Sequence, residues 1–383
     1  MSIVRLGAKA IDTADPILGQ VLASTDGVSL GRRNMIINGD MRVAQRATSA
    51  ASLSAGGIHT VDRFHWYVNA FDELRITMSQ DSSVPTGADS GFSKSLKLDC
   101  TTAESAIAAD ENARVWQILE AQDLIRLGYG TSGAKTCTLS FYVKSSLTGT
   151  YAVSFWCQDP NRNISKTYTI NAANTWEKKT ITIPGDTGGT GINNDNGEGM
   201  RINWFLNAGS NFTSTNTNNQ WDTFASGRHA FGHTAAWGTN TSHDFFLTGV
   251  QFEIGGSATE FEHRSLAENQ LDCYRYFYKI TRTDPYGEFL VIRTYSGTQG
   301  TGVMILPAPM RVQPTFTSTT PINGNFSYSM SVLSFSTTDS GTTGSSHRLA
   351  THNTVGSFTL GGAAVVQKAN NTDPVFMQYD AEF

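Results

Sequence analysis

Along much of the chain, apolar and polar residues alternate with a period of two. The clearest stretch is 136–157, TCTLSFYVKSSLTGTYAVSFWC, where both flanks alternate around a polar turn near Leu147. This predicts a hairpin. Val143 would face Tyr151, Phe141 would face Val153, Leu139 would face Phe155, and Cys137 would face Cys157. Thr138, Ser140 and Ser154 fall on the other face, so one side is expected on a core and the other in solvent. Further strands are predicted at 164–170, 178–183, 201–207 and 244–255. In the last of these, Phe246, Thr248, Val250, Phe252 and Ile254 are expected to line one face.

Two segments carry a helical pattern instead. In 113–127, Val115, Ile118, Leu119 and Leu124 form an apolar stripe, with Gly128 as a natural stop. In 265–276, Ser265 followed by Glu268 reads as a capping box. Beyond about 280, strands such as 288–295, 302–307 and 326–336 are separated by Thr/Ser/Gly turns. Pro307, Pro309 and Pro314 mark an edge or connector there. The pattern divides the chain into an arm at 1–33, a domain at 34–278 and a smaller domain at 279–383. The fold class is all-β with one or two short helices.

Composition supports strands joined by polar turns. Thr (46), Ser (36), Asn (24) and Gly (36) make 142 of the 383 residues. Only 16% are charged, against about 25% in a typical soluble domain. Hydrophobics at 39%, with aromatics at 10%, are enough to build a core. The net charge is −5 and no basic stripe exists, so nucleic acid is not an expected partner. No apolar run approaches the ~18 residues of a membrane helix, and the first residues lack the core of a signal peptide. Membrane insertion is therefore not expected. Four cysteines are too few for a disulfide scaffold, and reduced core thiols are expected.

Certain residues resemble those of a known family. NMIINGDMRVAQR (34–46) and VDRFHWY (61–67) are similar to the start of a domain recurrent in phage tail fibres. LTGVQFEIGGSATEFEHRSLAENQLDCYRYFYK (247–279) resembles its end, through Thr248, Gly249, Val250, Gln251, Glu253, Gly255, Ala258, Thr259, Phe261, Glu262, Arg264, Cys273, Arg275 and Tyr276. PAPMRVQPT (307–315) and YDAEF (379–383) resemble the C-terminal domain often attached to it. The resemblance implies a jelly-roll sandwich like a carbohydrate-binding module, followed by a second smaller β-sandwich. It implies a homotrimeric virion adhesin that recognises host surface polysaccharide, made in the host cytoplasm. Residues 1–33 would then attach to a baseplate or tail protein. Physically, the motif residues read as scaffold. Gln251 and Glu253 would alternate outwards, and Glu262 and Arg264 would pair or satisfy backbone groups.

Glycan recognition needs aromatic faces beside polar side chains, carried on loops of a rigid scaffold. The segment 207–243 offers Trp221 and Trp237 with Asn219, Asp222 and Arg228. The loop 337–353 offers Asp339, His347 and Arg348. His229 and His233, with His243, have metal-ligand spacing, but Gly227, Gly232 and Gly238 oppose a helix there, so surface or interface histidines are expected. Asp186, Asp195 and Glu198 lie in a Gly-rich stretch that does not fit an EF-hand, and a plain loop is expected. No cofactor is called for. Enzyme signatures such as G-x-S-x-G and H-E-x-x-H are absent, so the chain is expected not to be an enzyme. The alternatives are a glycan-degrading tailspike using carboxylates such as Asp195, Glu198 or Asp222, or a purely structural virion component.

Overall fold

The computed structural model describes residues 32–87, 91–215, 220–284, 287–294, 299–318, 323–326, 329–337, 346–353, 363–367 and 374–383. These form two compact units. One comprises the chain up to Arg42 with Thr48–Arg264, the other Val43–Ala47 with Ser265–Phe383. The 1–33 arm lies outside the described residues except for Arg32 and Arg33.

The strands of the first unit are β1 (Ser49–Leu53), β2 (His65–Asn69), β3 (Arg75–Asp81), β4 (Ser95–Thr102), β5 (Asn112–Glu120), β6 (Cys137–Ser145), β7 (Gly149–Cys157), β8 (Arg162–Ile170), β9 (Glu177–Ile183), β10 (Glu198–Ala208), β11 (Asp222–Thr223) and β12 (Asp244–Ile254). They make two antiparallel six-stranded sheets, ordered β1-β3-β4-β12-β6-β9 and β11-β8-β7-β10-β5-β2. The chain passes repeatedly from one sheet to the other, as in a jelly-roll sandwich. The shared core includes Trp66, Phe141, Tyr151, Phe155, Trp204, Phe245 and Phe252, all fully buried. Each such side chain contributes roughly 1.5–3 kcal/mol by leaving water.

The predicted hairpin at 136–157 is not a hairpin. β6 pairs with β12 and β9, whereas β7 pairs with β10 and β8. The turn near Leu147 carries the chain between sheets, and the two apolar faces meet across the sandwich. Alternation specifies that each strand has one buried face, and either arrangement provides it. Cys137 and Cys157 are both buried and unbridged.

The helix expected at 113–127 is also corrected. Residues 112–120 form β5, buried along its whole length. Ala113, Val115 and Leu119 enter the core on alternate positions, and Ile118 on the other face completes a helical stripe by chance. Only one helical turn (Ala121–Leu124) and a 3-10 turn (Ile125–Leu127) follow, and Gly128 ends them at φ +64.

In β12 the expected single face is broken by a bulge between Thr248 and Gln251, with Gly249 at φ +58. Phe245 and Leu247 enter the core before it, Val250 and Phe252 after it. Phe246 instead lies on the other side, beneath the Lys144 ammonium at 3.9 Å.

The segment 34–40 docks on this bulge. Asn34 Oδ1 accepts from the amides of Ile36 and Phe252, and Asn34 Nδ2 donates to the Val250 carbonyl. The Val250 amide donates to the Gly39 carbonyl at 2.9 Å. Glu262 accepts from the amides of Arg32 and Asn34, so it satisfies backbone groups. Gln251 and Glu253 are buried rather than outward. Gln251 bonds Glu253, Thr259 and the Glu262 amide, while Glu253 accepts from the Thr259 amide and hydroxyl.

The second unit begins at Ser265, ahead of 278, because the helix α1 (Leu266–Tyr274) and the residues after it pack there. Ser265 and Glu268 form the expected capping box. The Tyr276 carbonyl accepts from the Ala381 amide, and the Arg275 carbonyl from the Arg311 amide.

The strands of this unit are β13 (Phe277–Arg282), β14 (Glu288–Thr294), β15 (Gln299–Ile305), β16 (Thr315–Ser318), β17 (Asn323–Phe326), β18 (Ser329–Thr337), β19 (Ser346–Asn353), β20 (Ala363–Gln367) and β21 (Val375–Asp380). They form a sheet β13-β21-β16 and a sheet β17-β18-β19-β15-β14-β20. Arg311, in the proline-bracketed connector, donates to the Ala381 and Glu382 carbonyls and holds the C-terminus.

The early strip 43–47 is tied into this unit. Gln45 donates to the Phe277 carbonyl, the Arg46 guanidinium lies 3.6 Å from the Phe277 ring centre and pairs with Asp380 at 3.1 Å, and Lys279 donates to the Arg46 carbonyl.

Candidate functional site

The second sheet of the first unit turns Trp66, Val115, Trp204, Val153, Phe155 and Ile164 into the core. Its alternate residues therefore form an outer face. The register aligns His65, Trp116, Asn203, Ser154 and Ser165 in one row across five strands. Rows on either side bring Tyr67, Arg114 and Phe205 together, and Arg201, Trp156 and Asn163.

These side chains stack in a layer. His65 lies parallel to Trp116 at 4.6 Å, and Trp156 to Phe224 at 4.8 Å. The Arg201 guanidinium sits 4.3 Å from the Trp116 ring centre and 5.1 Å from that of Trp156. The Arg114 guanidinium sits 4.2 Å from Tyr67 and 5.2 Å from Phe205. Arg201 is also held by both oxygens of Glu198, at 2.9 and 2.5 Å. His65, Tyr67, Arg201, Trp156 and Phe224 are half-buried and form the rim.

Residues 209–215 and 220–236 cover the β7–β8 side of this face. Phe212 and Ala230 pack on Ala152 and Phe205, and the Ser165 hydroxyl donates to the Arg228 and His229 carbonyls. His65 and Tyr67 on β2 and Arg201 on β10 line the rim on the other side, with Trp156 and Phe224 at the border of the cover.

Several buried polar atoms of this face have no hydrogen-bond partner among the described residues. They are Arg114 Nε, Asn203 Oδ1, Trp156 Nε1, His229 Nε2, and both amide atoms of Asn163. Leaving such a group unpaired costs about 1–3 kcal/mol, so these inner atoms have capacity for ordered water beneath the rim. Its histidines are neutral at pH 7. Burial, then the nearby arginines, push His229 well below its usual range. Burial, with Arg201 and Arg114 contributing, pushes His65 down to about 4. Burial raises the Glu198 carboxyl, although Arg201 opposes this.

Most of the residues singled out from sequence lie elsewhere. Trp237 is fully buried in the core, and Trp221 is 8% exposed, donates to the Pro184 carbonyl at 2.7 Å and meets the Tyr129 ring edge-on. Both indoles fill the sandwich, so neither offers a face to a ligand. Asp222 and Arg228 form an ion pair at 2.7 Å, beside Asn163 at the β8–β11 edge. Asn219 and Asp339 lie outside the described residues. His347 and Arg348 lie on β19, opposite Met304 and Val303, and their side chains lie outside the description.

His229 joins the outer face. His233 is buried and bonded to backbone at both ring nitrogens, and His243 faces the Trp237 carbonyl. Among the described residues no group of His, Cys, Asp and Glu gathers as a metal site. Sequence reasoning missed Arg114 and Trp116 because β5 was read as a helix. Alternation of Arg114, Trp116 and Ile118 against Ala113 and Val115 was the available signal.

No protein-family model matches the chain, and no curated protein does. Among solved structures, the chain is similar to the enzymatically active domain of tailspike protein 4 of bacteriophage CBA120. The identity is 13% and the TM-score 0.30, over 58% of this chain and 22% of that one. It is similar to the family 11 carbohydrate-binding module of Clostridium thermocellum in complex with a β-1,3-1,4-mixed-linked tetrasaccharide. There the identity is 11% and the TM-score 0.27, over 57% of this chain and 99% of that one. It is also similar to the CBM22-1–GH10 modules of xylanase 10B from the same organism, complexed with xylohexaose. This match has 11% identity and a TM-score of 0.24, over 52% of this chain and 27% of that one. The all-β sandwich assigned to the first unit rests on its own strand order and register.

Proposed function

We propose that the chain binds host cell-surface glycan through the outer face of the second sheet, as a trimeric phage fibre held to the virion by residues 1–33. The observation that carries the glycan reading is the rim of half-buried rings, Tyr67, Trp156 and Phe224, beside the Arg201 guanidinium. Sugars present C–H faces to rings and hydroxyls to polar side chains, and this rim supplies both. The virion and trimer assignments rest on the motif resemblance. Three linked weak sites would raise overall affinity through effective concentration.

Binding is favoured over hydrolysis because the carboxylates nearby are engaged. Asp195 accepts from the Gly197 amide, Glu198 is held by Arg201, and Asp222 pairs with Arg228. The second unit, with Asp339 and with His347 and Arg348 on β19 rather than on the expected loop, is the rival surface. The test is adsorption. Purified full-length protein is expected to block phage attachment, and Tyr67→Ala with Phe224→Ala is expected to abolish the block. Loss of the block on deleting 279–383, with no effect of the double variant, would move the site to the second unit. Failure of the unaltered protein to bind host cells would overturn the reading.

A further inference from the structure

We infer that the glycan bound at the outer face carries a carboxylate, as a uronic or nonulosonic acid residue does, seated against Arg114 and Arg201. This deepens the reading above and rests on it.

Arg114 is the key observation. It is only 6% exposed, and among the described residues no carboxylate pairs with it. Its Nη1 donates to the Asn112 side chain, and nothing accepts from its Nε. Otherwise the rings of Tyr67, Trp116 and Phe205 surround it, at 4.2, 5.0 and 5.2 Å. Burying a cation without a counter-charge is costly, and cation–π contacts offset only part of that. Burial pulls its pKa down to about 9, which leaves it charged at neutral pH.

Charge counting gives the ligand's class. Arg114 and Arg201 are two cations, Glu198 is the one anion paired among them, and His65 and His229 are neutral. The face thus carries one net positive charge, or two when Glu198 is protonated, on a chain whose net charge is −5. A monoanion matches it. A guanidinium fork suits a carboxylate, which accepts two parallel bonds. A neutral sugar would leave Arg114 without a counter-charge.

The test is a printed panel of capsular and O-antigen polysaccharides, acidic and neutral. Each acidic polymer is also printed after chemical reduction of its carboxyls to alcohols. Full-length protein is expected to bind an acidic polymer and to lose at least tenfold affinity for its reduced form. Arg114→Gln is expected to remove that difference, and Arg114→Lys to keep part of it. If Arg114→Gln fails to fold, comparing parent and reduced polymers on the unaltered protein still decides. A reduced polymer that binds as tightly as its parent overturns the carboxylate inference and leaves the glycan reading standing. No binding to any polymer overturns the glycan reading, and the inference falls with it.

Discussion

The amide of Ala152 donates to Nδ1 of His233 at 3.1 Å. That bond fixes the tautomer. Nδ1 must be unprotonated, so Nε2 carries the hydrogen and donates to the Ala235 carbonyl at 2.8 Å. A second proton would set two donors against each other, and burial pushes the ring down to about 4. A histidine depressed from 6.5 to about 4 contributes stability that is full above the upper value and is lost as pH falls toward the lower. His65 follows the same range, and burial also holds His229 well below its ordinary value. The thermal midpoint is therefore expected to fall between pH 6.5 and 4. Calorimetry across that range checks it. His233→Gln should flatten the dependence, and His233→Ala should cost about 2–4 kcal/mol by stranding two buried backbone groups.

A separate loss is expected in stronger acid. Burial alone would raise the Glu177 carboxyl. Bonds from Lys179, the Ala172 amide, and the Asn171 side chain and amide hold it down at about 2. Its contribution is present above the unfolded value of about 4.3 and is lost as pH falls toward 2. Urea titrations at pH 5 and pH 3 should show a smaller difference in Glu177→Gln than in the unaltered protein.

The thiols should be silent in the folded state. Cys100, Cys137, Cys157 and Cys273 are all buried and free. Burial pushes Cys137 up to about 12 and Cys157 well above its usual range, so little thiolate forms at neutral pH. A thiol reagent should find none of the four in native protein and all four in denaturant. Detection of fewer than four after unfolding would indicate oxidation.

Gly39 should tolerate no side chain. A Cβ at this position would lie 2.1 Å from the Val250 carbonyl oxygen, which is backbone and already accepts from Asn34. Gly39→Ala is expected to destabilise the first unit by about 3 kcal/mol, measured by denaturant unfolding. Glu262→Gln, which keeps one acceptor for the Arg32 and Asn34 amides, should cost less.

Local patterns on this sequence were read well where one residue pair decided them. Ser265 with Glu268 specified a helix start, and Gly128 a stop. Strand alternation on 137–145 and 149–157 located the core faces, but Thr138, Ser140 and Ser154, expected in solvent, are buried as well, because loops and side chains cover the other face. Pairing was not legible, because an apolar face is satisfied equally by a neighbour in its own sheet or by the opposite sheet. The bulge at Gly249 inverted half of β12, a change one residue makes and no period reveals. The site was hidden for a related reason. Its rings and cations come from β2, β5, β7 and β10, which only the register brings side by side. Trp221 and Trp237 stand in a polar loop, yet large indoles serve equally well as plugs for a sandwich.

The strip 43–47 carries a consequence for inheritance. Gln45 and Arg46 stand 232 and 334 residues ahead of Phe277 and Asp380, which they hold. A genetic exchange that joins a foreign segment at Ser265 delivers residues 265–383 without the strip that is tied to them. Successful chimeras of this chain should therefore keep both segments from one parent, and the second unit would be inherited as a linked pair of segments rather than as a free cassette.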